Sequence, residues 1–100
     1  MPETADMTGL RTVIVRIEGN VQGVGFRNWT QRLATQLGLA GWVRNRRDGS
    51  VEALLHGPRQ AVEDVIGRCR VGPRSAKVTG LSVSEAEAPA LGGFEILPGV

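Results

Sequence analysis

Apolar and polar residues alternate from Leu10 to Glu18, with Val13, Val15 and Ile17 on one side and Thr12, Ile14 and Arg16 on the other. That period predicts a β-strand. From Phe26 to Leu37 the period lengthens. Phe26, Trp29, Leu33, Ala34 and Leu37 recur at three- and four-residue steps, so one face of a helix is apolar, and Gly38 is placed to end it. At this spacing Trp29 is read as a core residue rather than a platform for a ligand. Leu39 to Arg46 forms a second strand carrying Trp42 and Val43, and the Asp48-Gly49 pair marks a hairpin turn. Val51 to Gly57 returns as a third strand with Val51, Ala53 and Leu55 facing the core. Pro58 suits the first turn of a second helix, which runs to about Val71 with Ala61, Val62, Val65, Ile66 and Cys69 inward. Gly67 within it weakens it by roughly 1 kcal/mol relative to alanine.

Gly72-Pro73 breaks the chain, and Ala76 to Glu85 is a fourth strand. Its apolar phase changes between Val78 and Leu81, which predicts a bulge near Gly80. Glu87 to Gly93 reads as a loop and Phe94-Glu95-Ile96 as a short last strand. Right-handed crossovers in the order β-α-β-β-α-β-β place both helices on one face of a mainly antiparallel sheet of four to five strands. The fold class is therefore α+β, a ferredoxin-like split β-α-β sandwich with the first and third strands central.

The stretch between the first strand and the first helix reads Gly19-Asn20-Val21-Gln22-Gly23-Val24-Gly25-Phe26-Arg27. Three glycines in seven residues allow positive φ, and a turn of that kind aims several N–H groups at one point, an anion nest. The first helical turn adds its own free N–H groups and the positive end of its dipole. Arg27 can close the ring with a forked, permanently charged group. The N–H groups of Val21, Gln22, Gly23, Val24, Gly25 and Phe26, together with Arg27, thus form a cradle for a tetrahedral anion, most simply a phosphoryl group. A nucleotide P-loop would need Lys-Ser/Thr where Phe26-Arg27 stands, and a dinucleotide fingerprint would need glycine where Asn28 stands. The plain alternative is a tight strand-to-helix connection with an incidental arginine.

Composition changes this picture little. At 100 residues the chain is read as one domain, spanning 10–100, with the polar residues 1–9 as a mobile tail that lacks the apolar segment of a secretory signal. One cysteine excludes an internal disulfide framework and fits a reducing, cytoplasmic setting. There is no apolar run long enough to span a membrane. A net charge of +2 does not by itself imply nucleic acid. Arg44, Arg46 and Arg47 form a solvated turn whose positive bias would draw anionic substrate toward the cradle. His56, the sole histidine, falls on the face away from the helices with Glu52 and Leu54. Asp48 and Glu52 are read as turn and edge residues. One histidine and one cysteine on different faces cannot build a structural zinc site, so no metal or cofactor is expected.

Two motifs at fixed separation carry a resemblance. Gly19-x-Val21-Gln22-Gly23-Val24-x-Phe26-Arg27 and Gly41-Trp42-Val43-x-Asn45, the latter followed by Asp48-Gly49-x-Val51-Glu52, resemble the acylphosphatase family. Ala34-x-x-Leu37-Gly38-Leu39, Gly72-Pro73 and Phe94 fit the same pattern, so the match runs from about Leu10 to Leu97. The resemblance implies a small, ferredoxin-like, metal-independent enzyme that hydrolyses acyl phosphates to a carboxylate and inorganic phosphate. It implies that Arg27 binds the phosphoryl group and that Asn45 positions the attacking water. Inorganic phosphate, the product, is an expected competitive inhibitor, and a monomer is expected.

The residues present are compatible with the chemistry that the resemblance implies. A carboxylate leaving group needs no general acid; what is needed is charge stabilisation and a water held in line. Asn45 shares strand phase with Val43 and so points to the helix side, where its amide can both donate to and accept from a water. Its plain alternative is a hairpin-end residue bonding its own backbone. Three other readings compete. A non-catalytic module could use the cradle to recognise a phosphorylated partner. The related domain fused to hydrogenase-maturation carbamoyltransferases shares the cradle, but a chain ending at Val100 leads us to expect a stand-alone domain. RNA-binding domains of this fold class stack bases on aromatic residues of the central strands, whereas the outward positions here are Thr12, Ile14, Arg16, Glu52, Leu54 and His56.

Overall fold

The computed structural model describes residues 9–90 and 92–100. Residues 1–8 of the expected tail, and residue 91 in the expected last loop, lie outside the described residues. Gly9 is not tail-like: its carbonyl accepts a hydrogen bond from the Arg59 N–H at 2.7 Å.

The elements are β1 (Leu10–Asn20), α1 (Phe26–Gln36), β2 (Ala40–Asn45), β3 (Val51–Pro58), α2 (Arg59–Cys69), β4 (Lys77–Glu85) and β5 (Phe94–Ile96). The strands form one sheet in the order β4-β1-β3-β2-β5. Every pairing is antiparallel except β2 with β5, which run parallel. β1 and β3 lie inside, as the two crossovers require, and the architecture is the expected ferredoxin-like α+β sandwich with a short fifth strand on the β2 edge.

Burial follows the strand period. Val13, Val15 and Ile17 of β1, Val43 of β2, and Ala53 and Leu55 of β3 are buried with Phe26 and Ala34 of α1 and Val62, Val65, Ile66 and Cys69 of α2 in one cluster. Both helices therefore cover the same face of the sheet. Trp29 is only partly buried but packs against this cluster, edge-on to Phe26 with ring centroids 5.3 Å apart. Cys69 is a small core residue, and desolvation pushes its thiol up to about 12.

The opposite face is more structured than alternation suggests. Leu54 is buried there too. It stands on a central strand directly between Ile14 of β1 and Trp42 of β2, so cross-strand neighbours cover it. The Arg44 guanidinium lies 4.8 Å over the Trp42 ring, and Thr12 Oγ1 and His56 Nδ1 share a hydrogen bond at 2.6 Å. His56 thus serves the outer face of the sheet.

The expected bulge is present. Glu18 stands opposite Gly80 and Gly19 opposite Val78, so Thr79 is the extra residue. Gly19 has φ +127° and is pressed against β4, where a Cβ would come 2.1 Å from the Lys77 carbonyl oxygen. The first glycine of the Gly19–Arg27 stretch is therefore required by the bulged pairing of β1 with β4, not by the turn that follows.

Candidate active site

β1 ends at Asn20 and α1 begins at Phe26, leaving five residues to reverse direction. Two of them, Gly23 and Gly25, take φ of +75° and +80°. A Cβ at either would meet nothing within 4 Å, so the backbone conformation rather than crowding selects glycine. Val21 is buried in the core and Val24 packs partly buried against it; these two anchor the loop from beneath. Gly25 is the N-cap of α1, and no side chain caps the helix. The N–H groups of the first turn, together with the positive end of the helix dipole, remain available to an anion.

Above this turn lies a pocket of about 380 Å³ lined by Val21, Gly23, Gly25, Phe26, Arg27, Asn28, Asn45 and Ile96. It brings together six of the eight residues singled out in the sequence, including both Arg27 and Asn45 from elements far apart in the chain. The other two, Gln22 and Val24, do not line it. Val24 turns to the core, and the Gln22 side chain reaches sideways to the β2–β3 hairpin, where its Nε2 donates to the carbonyl oxygens of Arg46 at 2.7 Å and Ser50 at 2.9 Å.

Arg27 makes no ion pair among the described residues, so its guanidinium is uncommitted. Asn45 is the last residue of β2 and pairs with Val51 of β3. Its backbone carbonyl accepts from the Val100 N–H at 3.0 Å, but its side-chain Oδ1 is buried without a hydrogen-bond partner among the described residues. A hairpin-end asparagine bonding its own backbone would not leave that oxygen unsatisfied. A buried carbonyl oxygen with nothing to accept costs about 1–3 kcal/mol, and it marks a place where a polar guest is wanted.

Two wall residues were not singled out in the sequence. Asn28 figures there only as the residue that breaks a dinucleotide pattern, although its place beside Arg27 in the first helical turn put it within reach. Ile96 arrives because β5 pairs in parallel with β2, setting Ile96 opposite Val43. A three-residue strand carries no signal of its partner, so nothing in the sequence pointed to it.

The hairpin that carries Asn45 is braced by charge. Glu52 Oε1 accepts from Arg44 Nε at 2.9 Å and from Arg46 Nη1 at 3.0 Å. Two of the three clustered arginines therefore share one carboxylate, and the positive bias expected of this turn is reduced by that one charge. Asp48 closes the turn: its Oδ1 accepts from the Ser50 hydroxyl at 2.6 Å and the Ser50 N–H at 3.0 Å, while its Oδ2 pairs with Arg16 of β1. The Ser50 hydroxyl foremost, then the Ser50 N–H, and less strongly Arg16, hold the carboxyl down at about 2, below the ordinary 3.8.

The sign of the pH dependence follows. A depressed pKa means that the folded state favours the carboxylate, so its contribution is complete above about 3.8 and is lost as the pH falls through about 2. Comparing thermal midpoints of the protein and its Asp48→Asn variant across this range is expected to show the native advantage shrinking from pH 4 downward. A difference that stays constant from neutral pH to pH 2 would contradict the assignment.

With this geometry in view, the comparisons with known proteins are specific. The acylphosphatase family model matches residues 13–96, both site motifs included. An acylphosphatase of Rhodospirillum rubrum is 55% identical over 89 residues, covering 89% of this chain and 98% of the relative.

The chain belongs to the acylphosphatase family.

Solved acylphosphatase structures agree with the fold. One from Coxiella burnetii superposes with a TM-score of 0.86 at 28% identity, covering 91% of this chain and 96% of that one. The acylphosphatase of Bacillus subtilis does so with a TM-score of 0.81 at 39% identity, covering 88% and 98%. Membership and topology agree from end to end of the matched segment.

Proposed function

We propose that this protein hydrolyses acyl phosphates to a carboxylate and inorganic phosphate, with the Val21–Arg27 segment as phosphoryl cradle and Asn45 as the residue that orients water. The observation that carries the reading is the Asn45 Oδ1: buried, unpartnered among the described residues, and in the wall of the same pocket as Arg27. Family membership supports the reaction class.

The reaction follows from the groups in the pocket. The phosphoryl oxygens of the substrate sit against the N–H groups of the turn and the uncapped end of α1, with the Arg27 guanidinium on the remaining side. These donors are fixed before the substrate arrives, so negative charge that shifts onto the phosphoryl oxygens and the leaving oxygen is met without reorganisation. Asn45 Oδ1 accepts one proton of a water and holds its oxygen toward phosphorus. The water oxygen forms the new P–O bond as the bond to the acyl oxygen breaks, and the electron pair leaves on the carboxylate. A carboxamide is too weak a base to take the water's proton, which passes to a phosphoryl oxygen. The carboxylate product is stable unprotonated, so the reading needs neither a general acid nor a metal. In the same reading the product phosphate competes with substrate for the cradle, and the protein acts as a cytoplasmic monomer.

The test is direct. Benzoyl phosphate should be turned over with loss of ultraviolet absorbance, at a rate unchanged by a chelator, and inorganic phosphate should inhibit competitively. Phosphate binding without turnover would instead favour a module that recognises phosphorylated partners.

A further inference from the structure

The cradle and the water-holding residue sit on different parts of the chain. The cradle belongs to the β1–α1 turn and Asn45 to the end of β2. Catalysis by positioning depends on the gap between two such groups, and a 1 Å error costs roughly 10²-fold. One side chain spans the two elements at this point. Gln22, in the middle of the cradle turn, sends both hydrogens of its carboxamide nitrogen to carbonyl oxygens at the mouth of the β2–β3 hairpin, those of Arg46 and Ser50. These are the residues next to the last strand pair, Asn45 with Val51. They are also bonded to each other, Arg46 N–H to Ser50 carbonyl at 2.8 Å.

We propose that the Gln22 side chain is a positioning residue for the reaction: it fixes the Asn45 carboxamide relative to the phosphoryl cradle, and its effect on the rate is exerted through Asn45. This rests on the functional reading above and deepens it. The argument is geometric. The hairpin's other braces hold it to itself, to β1 or to the C-terminal residues, through Glu52 with Arg44 and Arg46, Asp48 with Arg16, and the Val100 N–H with the Asn45 carbonyl. Among the described residues, only the Gln22 side-chain bonds tie its mouth to the loop of the proposed cradle. The side chain is part-buried and donates to two carbonyl oxygens that each also accept a backbone N–H within the hairpin, so a substitute that cannot donate unties the loop from the hairpin and leaves the hairpin's own bonds in place. The cradle keeps its own determinants, the backbone of Gly23 and Gly25 and the core anchors Val21 and Val24. Loss of the clamp should therefore separate the water from the phosphoryl group without dismantling the anion site.

A double-mutant cycle tests this. Gln22→Met keeps length and removes both donors. With benzoyl phosphate, kcat should fall roughly tenfold or more while the inhibition constant for phosphate stays within about twofold. On the Asn45→Ala background the same change should alter kcat by less than about threefold, because the group it positions is gone. Circular dichroism at the assay temperature checks that each variant is folded. A second readout needs no turnover. Phosphate titration of isotope-labelled protein should move both the loop amide resonances and the Asn45 side-chain amide in the parent. In Gln22→Met it should move the loop amides with the same affinity and leave the Asn45 amide still. Equal effects of Gln22→Met in both backgrounds, a native kcat, or an Asn45 response that persists would overturn the proposal. A parent that binds phosphate and shows these shifts but hydrolyses nothing would refute the hydrolytic reading alone.

Discussion

Arg27→Ala is expected to lower the rate of benzoyl phosphate hydrolysis by roughly 10²–10³, the range seen when one preorganised donor to a developing anion is removed. Arg27 lies in the first turn of α1 and lines the same pocket as Gly23 and Gly25. With no carboxylate partner among the described residues, its charge is free to meet an anionic guest, as the proposed role requires. Competitive inhibition by phosphate should weaken in the same variant, because ground state and transition state both carry the phosphoryl charge. Arg27→Lys should recover only part of the rate: an ammonium restores a point charge but not the planar fork. A rate in Arg27→Ala within a few-fold of the parent would remove the guanidinium from the mechanism. The fold should survive the change, since the side chain makes no ion pair among the described residues and the apolar cluster is built without it.

Asn45→Ala separates the other role. It should reduce kcat by about 10² or more while leaving most of the phosphate affinity. The split between the two measurements is the informative part. A residue that orients water contributes to the transition state and little to the binding of the product anion, whereas a cradle residue contributes to both. Loss of phosphate affinity with retention of rate would reverse the assignment. The same substitution deletes an oxygen that is buried without a partner among the described residues, so thermal stability should hold or rise slightly, the pattern expected where a group is kept for chemistry at some cost to the fold.

Much of this architecture could be read from the chain because each element announces its own period. β1 and α1 are long enough to display two and 3.6 residues per repeat, and the turn between them is marked by glycines that the backbone uses at Gly23 and Gly25. The bulge at Thr79 was visible as a slip of phase in β4. What was not legible depends on pairing at a distance. Gly19 looks like one more turn glycine until β4 is laid beside it. Ile96 reaches the pocket only through the parallel pairing of β5 with β2. The charges at positions 44 and 46 read as a free basic turn because nothing local says that Glu52, across the hairpin, faces both. The Gln22 backbone was assigned to the anion site from its place in the loop, but its side chain points to the hairpin, and no spacing rule predicts a carboxamide bridging two carbonyls.

The thiol at position 69 has a bearing on the chemistry that it takes no part in. Mixed anhydrides of phosphate are acylating agents, and their usual victims in a protein are thiolates and unprotonated amines. Sealed in the apolar interior with its pKa raised to about 12, this sulfur presents no anion to such a reagent. Of the lysine and arginine side chains all but Lys77 are arginines, and a guanidinium is a poor acyl acceptor. Among the described residues, then, the one thiol is withheld from such an electrophile, and the nitrogen nucleophiles left to it are those of Lys77 and His56.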